Sequence, residues 1–168
     1  MAVELTPGGT RGATARVNNR ILIGLYIAFY RLLGGRGMRV LGAPTLLLTT
    51  VGARTGRTRT KPVAYFPNGD DRWLIVASAA GAARHPAYYF NMAKNPDRIW
   101  VEVGRRKLRV KAESLSGASH EEAWRRIVSQ SPGLMCEGTG SFLQALPPLG
   151  QDCFLFKSMS KLTTGNGA

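Results

Sequence analysis

Residues that bind metals or form disulfides are scarce in this chain of 168 residues. It contains only two cysteines and two histidines. Cys136 and Cys153 belong to no CxxC motif and have no histidine beside them. Zinc sites and disulfide frameworks need clustered cysteine or histidine, so we expect neither. No signal-peptide pattern opens the sequence, and we therefore expect a cytoplasmic protein.

Acidic residues are absent from a long stretch near the start. None occurs between Glu4 and Asp70, whereas that interval contains nine arginines and Lys61. The net charge of the whole chain is +13. An imbalance of this size predicts an anionic partner such as nucleic acid, an anionic membrane or a charged small molecule, and charge alone does not choose among them.

The sequence also lacks an apolar run long enough to cross a membrane. The longest run, Ile21 to Leu33, has thirteen residues and contains Arg31, whereas a spanning helix needs about 20 apolar residues. Arginines flank this run on both sides. These features predict a helix that packs on the domain or lies in the headgroup layer of an anionic membrane. The second alternative predicts a peripheral protein at the inner face of the membrane.

The length fits one domain with its own core. We expect a flexible tail over 1–16, an apolar helix over 17–35, a barrel domain over 40–160 and a second tail over 161–168. Asn18 or Asn19 is the expected N-cap of the first helix, and the glycines after Leu33 end it. Pro86 and Pro96 bracket a second helix, and Ser119 with Glu122 forms a predicted capping box for a third.

Short apolar segments separated by turn residues predict the strands. We expect strands at Pro44 to Thr50, Thr58 to Phe66, Arg72 to Ser78, Ile99 to Val103, Leu108 to Glu113 and Cys153 to Phe156. Pro62 lies inside the second of these and predicts a bulge or an edge strand. Five or six strands in hairpins with few helices predict an α+β fold built on a small antiparallel barrel.

The segment Thr49 to Lys61 is the strongest candidate for a binding site. It contains four cationic side chains, two glycines and five threonines directly behind an apolar run. A strand, a glycine turn and a second strand can bring backbone N–H groups and guanidinium groups together around phosphate or carboxylate oxygens. The sequence has neither the GxGxxG fingerprint nor a complete P-loop, which disfavours nucleoside triphosphatase chemistry.

Two longer segments, LLLTTVGARTGRTRTKPVAYF and WLIVASAAGAARHPAYYFNMAKNP, followed by IWVEVG, resemble the deazaflavin-dependent nitroreductase family. These are split-barrel oxidoreductases that use the deazaflavin coenzyme F(420). The resemblance implies a split β-barrel of about six antiparallel strands, similar to the FMN-binding barrels. It also implies hydride transfer from the reduced coenzyme to an apolar, electron-poor small molecule such as a quinone, an enone or a nitro compound. A homodimer is implied as well.

The resemblance further implies which residues bind the coenzyme. Arg54 and Arg59 would hold its phosphate, Ser78 would contact its ring as the candidate catalytic position, and Asn91 would lie near its tail. The full set implied in this way is Arg54, Thr55, Gly56, Arg59, Lys61, Pro62, Ala64, Ala77, Ser78, Ala79, Gly81, Ala82, Ala83, Pro86 and Asn91.

The sequence defines the hydride acceptor and the bound ligand less closely than it defines the fold. Beyond Tyr89 the chain has no tyrosine, whereas relatives carry a tyrosine-bearing helix that helps to form the acceptor pocket. One alternative is an FMN-binding split barrel, because a fold does not fix its ligand. A second is a basic nucleic-acid-binding barrel. The strands lack the interleaved aromatic residues on which bases stack, so we expect no nucleic-acid partner.

Overall fold

The computed structural model describes Val3 and residues 19–40, 42–77, 85–130 and 153–159. In chain order, these residues form the following elements: α1 (Arg20–Leu33), β1 (Arg39–Val40), β2 (Ala43–Val51), β3 (Thr58–Ala64), β4 (Phe66–Pro67), β5 (Arg72–Val76), α2 (Ala87–Lys94), β6 (Ile99–Val103), β7 (Arg106–Ser114), α3 (Gly117–Gln130) and β8 (Cys153–Ser158). The expected tails over 1–16 and 161–168 lie outside the described residues, except for Val3, which is buried in the barrel interior.

The described strands form one antiparallel sheet. Its order is β1-β2-β6-β7-β8-β5-β4, and β3 pairs with β2 outside this path. Six of the strands, β2, β3, β5, β6, β7 and β8, have five or more residues. The sheet has helices against it, and this arrangement confirms the predicted antiparallel barrel with flanking helices.

The predicted strand from Thr58 to Phe66 is two strands. β3 pairs with β2 from Thr58 to Ala64, whereas Phe66 in β4 pairs with Leu74 in β5. The chain changes partner at Tyr65, whose N–H still bonds to the carbonyl of Pro44. Within the described part of the chain β3 pairs with β2 alone. Pro62 therefore lies on an edge strand, as predicted, where its missing N–H leaves no ladder bond unmade.

The helix boundaries confirm one capping prediction and contradict another. The side chain of Asn19 accepts hydrogen bonds from the backbone N–H groups of Ile21 and Leu22, and Gly34 ends α1 in the left-handed conformation. The capping box at Ser119 is wrong, because α3 begins at Gly117 and Ser119 lies within its first turn. The same spacing of serine and glutamate also fits the inside of a helix, so the pattern did not fix the helix start.

The apolar side chains form two clusters. The barrel interior contains residues of β2, β3, β5, β6, β7 and β8, and Tyr89 and Met92 of α2 pack into it. The second cluster lies on the other face of β5 and β8, where Trp124 and Ile127 of α3 cover Leu74. Thus α2 is packed against the interior, while α3 covers the outside of the sheet.

Helix α1 is held on the barrel by Tyr30, which is only 1% exposed. Its hydroxyl lies 3.0 Å from the carbonyl oxygens of both Thr45 and Glu102, which share its single proton, and it accepts a hydrogen bond from the N–H of Gly104. Arg31 forms a two-pronged ion pair with the carboxylate of Glu102. No helix in the described ranges is long and apolar enough to cross a membrane.

Candidate functional site

The segment Gly52–Arg57, which we name the basic turn, joins β2 to β3. The N–H of Gly52 bonds to the carbonyl of Arg57 at 2.9 Å, and the N–H of Gly56 bonds to the carbonyl of Gly52 at 2.8 Å. Gly56 has φ of +65°, which other residues adopt only with strain. A Cβ at Gly52 would lie 2.8 Å from Oγ1 of Thr55. Gly56 is therefore required by its backbone conformation, whereas a Cβ at Gly52 would displace the side chain of Thr55 and crowd the carbonyl of Arg57, 3.2 Å away.

Two backbone N–H groups of the basic turn are left without an acceptor among the described residues, those of Arg54 and Thr55. The N–H groups of Gly52, Ala53, Gly56 and Arg57 are all used inside the protein. Successive free N–H groups in a tight turn can bind an anion. The basic turn thus offers backbone donors as well as guanidinium groups.

The cations of this region form no ion pair with any described residue. They are Arg54, Arg57, Arg59 and Lys61. Partial burial lowers the pKa of Lys61, and the positive charges of Arg59 and Arg20 lower it further. These like charges repel one another, and a bound anion would relieve that repulsion.

The register of β3 decides which side chains share a face. Leu48 lies opposite Lys61, and Thr50 lies opposite Arg59. Residues directly opposite in an antiparallel pair point to the same side. Arg59 and Lys61 are therefore on the face of Leu48, which belongs to the barrel interior, at the edge strand where the interior meets the surface.

The structure does not bring every predicted residue of β3 to this face. Pro62 and Ala64 point to the opposite side, because side chains alternate along a strand. Ala64 packs beside the second cluster under α3. The side chains of Pro62 and Ala64 therefore do not share a face with Arg59 and Lys61, and their contact with the coenzyme stays a prediction.

Helix α2 connects the basic turn to the end of β5. Asn91 is buried, and its Oδ1 accepts a hydrogen bond from the N–H of Ala53 at 2.9 Å. Three residues earlier on the helix, the hydroxyl of Tyr88 donates to the carbonyl of Val76 at 3.3 Å. The basic turn and the end of β5 therefore meet at one helix. These two regions carry most of the implied coenzyme-binding residues.

Ala77 and Pro86 stand at the two ends of that segment. Ala77 is buried in the barrel interior, and Pro86 immediately precedes α2. The remaining implied residues, Ser78, Ala79, Gly81, Ala82 and Ala83, lie outside the described residues. Their predicted roles stay predictions.

Sequence reasoning missed three residues that hold this region together, Thr50, Tyr88 and Asn95. Asn91 donates from Nδ2 to Oγ1 of Thr50, and Asn95 donates from Nδ2 to the carbonyl of Val51. Asn95 is the C-cap of α2 and follows Asn91 by four residues, so the two side chains lie on the same side of the helix. That spacing was the available signal, but their partners lie about forty positions earlier in the chain, at residues that the sequence alone does not pair with α2.

The fold is similar to that of a solved deazaflavin enzyme. The structure of an F(420)-H2 dependent reductase, FDR-A, superposes with a TM-score of 0.53 at 28% sequence identity and covers 72% of this chain and 100% of that one. A second solved structure, described as a domain-swapped dimer, gives a TM-score of 0.54 at 25% identity and covers 82% of this chain and 97% of its own. The chain is therefore a split-barrel oxidoreductase.

Sequence comparison specifies the family. Residues 24–141 match the F(420)H(2)-dependent quinone reductase family. The F(420)H(2)-dependent quinone reductase Rv1261c of Mycobacterium tuberculosis is 40% identical over 108 residues, which is 63% of this chain and 70% of that protein. The chain belongs to the F(420)H(2)-dependent quinone reductase family. This confirms the predicted family, the enzyme class and the coenzyme.

The residues present fit that coenzyme. F(420) carries a phosphate and a glutamate tail, so it needs cations and N–H donors near a dry apolar surface for its ring. The basic turn and β3 supply four cations without ion pairs in the described residues, and the interior residues Leu48 and Val63 lie on the same face as Lys61. The described residues include no group of three or more histidines, cysteines or carboxylates that could hold a metal ion.

Proposed function

We propose that this protein reduces a quinone with F(420) bound between the basic turn, β3 and the segment 78–84. One observation carries this proposal: the cations of the basic turn and β3 lack ion pairs among the described residues, and α2 ties the backbone of the basic turn to the end of β5. The bound, reduced coenzyme would supply the hydride. The protein's part is to bind, orient and keep water away.

Each side of the proposed site has a distinct task. Arg54 and Arg59 bind the phosphate, and the free N–H groups of Arg54 and Thr55 add donors to it. The apolar interior next to Lys61 gives the ring and the quinone a surface with few titratable groups. Ser78 provides a hydroxyl to the ring. A quinone is flat, apolar and electron poor, and it suits such a surface better than a charged acceptor does.

The direct test is oxidation of reduced F(420) by a naphthoquinone, followed anaerobically through the absorbance of the oxidised coenzyme. We expect the purified protein to accelerate this reaction with saturation in both reactants. A nitroaromatic compound and an enone in parallel assays rank the acceptors. If the protein accelerates none of the three reactions, the proposal is wrong.

Binding titrations separate this proposal from the two alternatives. We expect saturable binding of F(420), weaker binding of FMN, and binding of single-stranded DNA only at low salt. Saturable binding of FMN without binding of F(420) would instead support an FMN-binding barrel.

We further propose that α1 lies on an anionic membrane surface at the cytoplasmic side. Six large apolar side chains of α1 are exposed, among them Ile21 at 74% and Leu32 at 72%. The full set is Ile21, Leu22, Leu25, Phe29, Leu32 and Leu33. Their spacing puts them on one face of the helix, while Tyr26 and Tyr30 face the barrel.

Cations surround that apolar face. Arg20 and Arg36 are exposed at its two ends, and the side chain of Arg105 from the β6–β7 turn packs against Gly34. Apolar residues with arginines at their border fit the headgroup layer of an anionic bilayer. Such a position would also bring the enzyme to lipid-soluble quinones.

Flotation with lipid vesicles tests this position. Changing Leu25, Phe29 and Leu32 together to serine removes apolar side-chain area, and each Å² of such area transferred from water into the membrane stabilises binding by about 25 cal/mol. We therefore expect flotation with anionic vesicles to be lost. The Ala28→Ser control changes a small exposed side chain of the same helix and removes almost no apolar area, so it should float like the native protein. Flotation of the triple variant at the native level would exclude this face as the anchor. Neutral vesicles should bind weakly in every case.

The expected homodimer is also a proposal. It is supported by similarity to a solved domain-swapped dimer, and the molar mass of the purified protein in solution would decide it.

A further inference from the structure

Asn91 is engaged at both ends of its side-chain amide. Its Oδ1 accepts from the N–H of Ala53 at 2.9 Å, and its Nδ2 donates to Oγ1 of Thr50 at 3.0 Å. The residue is only 8% exposed. An amide whose donor and acceptor are both used inside the protein is poorly placed to bind the coenzyme directly.

The partners of Asn91 are the last part of β2 and the first part of the basic turn. Asn95, one helical turn later, bonds to the carbonyl of Val51 between those two partners. Together the two asparagines hold the hydroxyl of Thr50, the carbonyl of Val51 and the N–H of Ala53. Because Arg54 directly follows Ala53, the hydrogen bond between Asn91 and the N–H of Ala53 also fixes the position of the Arg54 backbone.

The same contact selects which N–H groups of the basic turn stay free. Asn91 occupies the N–H of Ala53, and the turn's own bonds occupy those of Gly52 and Gly56. The N–H groups of Arg54 and Thr55 remain without an acceptor in the described ranges. A neutral amide does this without adding a negative charge beside the cations, which an aspartate at this position would do.

Asn91 also relates the basic turn to the other side of the proposed site. Tyr88, on the same helix, bonds to the carbonyl of Val76 at the end of β5. A change at Asn91 therefore alters the position of the basic turn relative to the end of β5. We propose that Asn91 is a positioning residue: it acts on the coenzyme's phosphate through the basic turn and does not touch the coenzyme. This inference rests on the proposed coenzyme site.

The decisive experiment compares two ligands. One is F(420), and the other is the deazariboflavin that has the same ring but lacks the phosphate and the glutamate tail. For Asn91→Ala we expect binding of F(420) to weaken about tenfold, the equivalent of one misplaced hydrogen bond between the basic turn and the phosphate, while binding of the deazariboflavin is unchanged. Weakening of both ligands by the same factor would overturn the inference, since it would indicate contact with the ring or a general loss of structure.

A double-mutant cycle tests whether the effect passes through the basic turn. In an Arg54→Ala background, Asn91→Ala should weaken F(420) binding by clearly less than tenfold, because the phosphate contact that it positions is already gone. Fully additive losses would contradict the proposal. Thr50→Val, a change of almost no volume that removes the acceptor of Nδ2, provides a second variant if Asn91→Ala fails to fold, and it should show the same preference for the phosphate-bearing ligand.

Two controls complete the design. Asn19→Ala is the same substitution at the N-cap of α1, where it costs stability, and it should leave the Kd for both ligands unchanged. Binding of F(420) by the native protein distinguishes failure of the proposed function from failure of the positioning role. If the native protein does not bind F(420), the proposed function is wrong. If it binds and Asn91→Ala binds equally well, only the positioning role is wrong.

Discussion

Alanine at both Arg54 and Arg59 is expected to weaken binding of F(420) about a hundredfold or more, because each lost guanidinium removes charge-assisted hydrogen bonds worth roughly 1.5–3 kcal/mol. Neither arginine forms an ion pair with a described residue, so neither leaves a carboxylate unpaired when it is removed. The fold should therefore be nearly as stable as before. Titration of the coenzyme's fluorescence at two salt concentrations measures the effect.

The kinetic form of the loss is also predicted. The phosphate is remote from the ring carbon that gives up hydride, so the KM for the coenzyme should rise more than kcat falls. The salt dependence of the Kd should become weaker in the double variant, since fewer charge contacts remain to be screened. A fall in kcat with an unchanged KM would place these arginines at the reacting end of the coenzyme and contradict the proposed orientation.

Two substitutions serve as controls for this pair. Arg59→Lys keeps the charge but loses the planar pair of donors, and it should recover only part of the affinity. Arg125→Ala removes the same charge from the exposed side of α3. It should bind F(420) like the native protein. Native-like affinity of the Arg54 and Arg59 double variant would exclude the basic turn and β3 as the phosphate site.

Elements that begin or end at a capping residue or at a turn glycine could be predicted closely from the sequence. Asn19 and Gly34 mark the ends of α1, because an amide cap and a left-handed glycine act within a few residues of the chain. The two-residue turn at Gly104 likewise connects β6 and β7, where Val103 pairs with Arg106. Such features depend on local chemistry, which the sequence shows directly.

Features that depend on distant packing could not be predicted in this way. The strand break at Tyr65 exists because Phe66 finds a partner in β5 while Ala64 keeps one in β2. The link from Asn91 to Ala53 requires α2 to lie against the end of β2. In the candidate site, the sequence identified the cations, but the face that each one occupies follows from the register of β3 with β2.

The orientation of α1 on the barrel also depends on contacts between distant residues. Its sequence shows an apolar run but gives little indication of which face meets the barrel, because apolar residues occur all around the helix. Tyr30 decides this through its contacts with Thr45 and Glu102. The buried position of this one tyrosine determines that Leu25, Phe29 and Leu32 point away from the domain. The proposed membrane face and the stability of α1 on the barrel thus depend on the same contact.

Gly35→Ala should be among the most destabilising single substitutions in the chain. A Cβ at this position would lie 2.6 Å from Cζ and 2.7 Å from the hydroxyl oxygen of Tyr30. The tyrosine cannot move aside without breaking its bonds to Thr45, Glu102 and Gly104. Overpacking costs about 1–3 kcal/mol, and the left-handed backbone of Gly35 adds about 1–2 kcal/mol for any residue with a Cβ.

Gly37→Ala is a matched control, because Gly37 has the same φ of +72° and nothing lies within 4 Å of its Cβ position. It should carry the backbone cost alone and lower the Tm by about 2–8 °C, whereas Gly35→Ala should lower it by roughly twice as much. Scanning calorimetry of the two variants, together with Gly35→Ala in a Tyr30→Leu background, separates the causes. In that background the added cost of Gly35→Ala should fall to that of Gly37→Ala. Equal losses for the two glycine variants in the native background would show that Tyr30 can yield, and that α1 is not held by this contact.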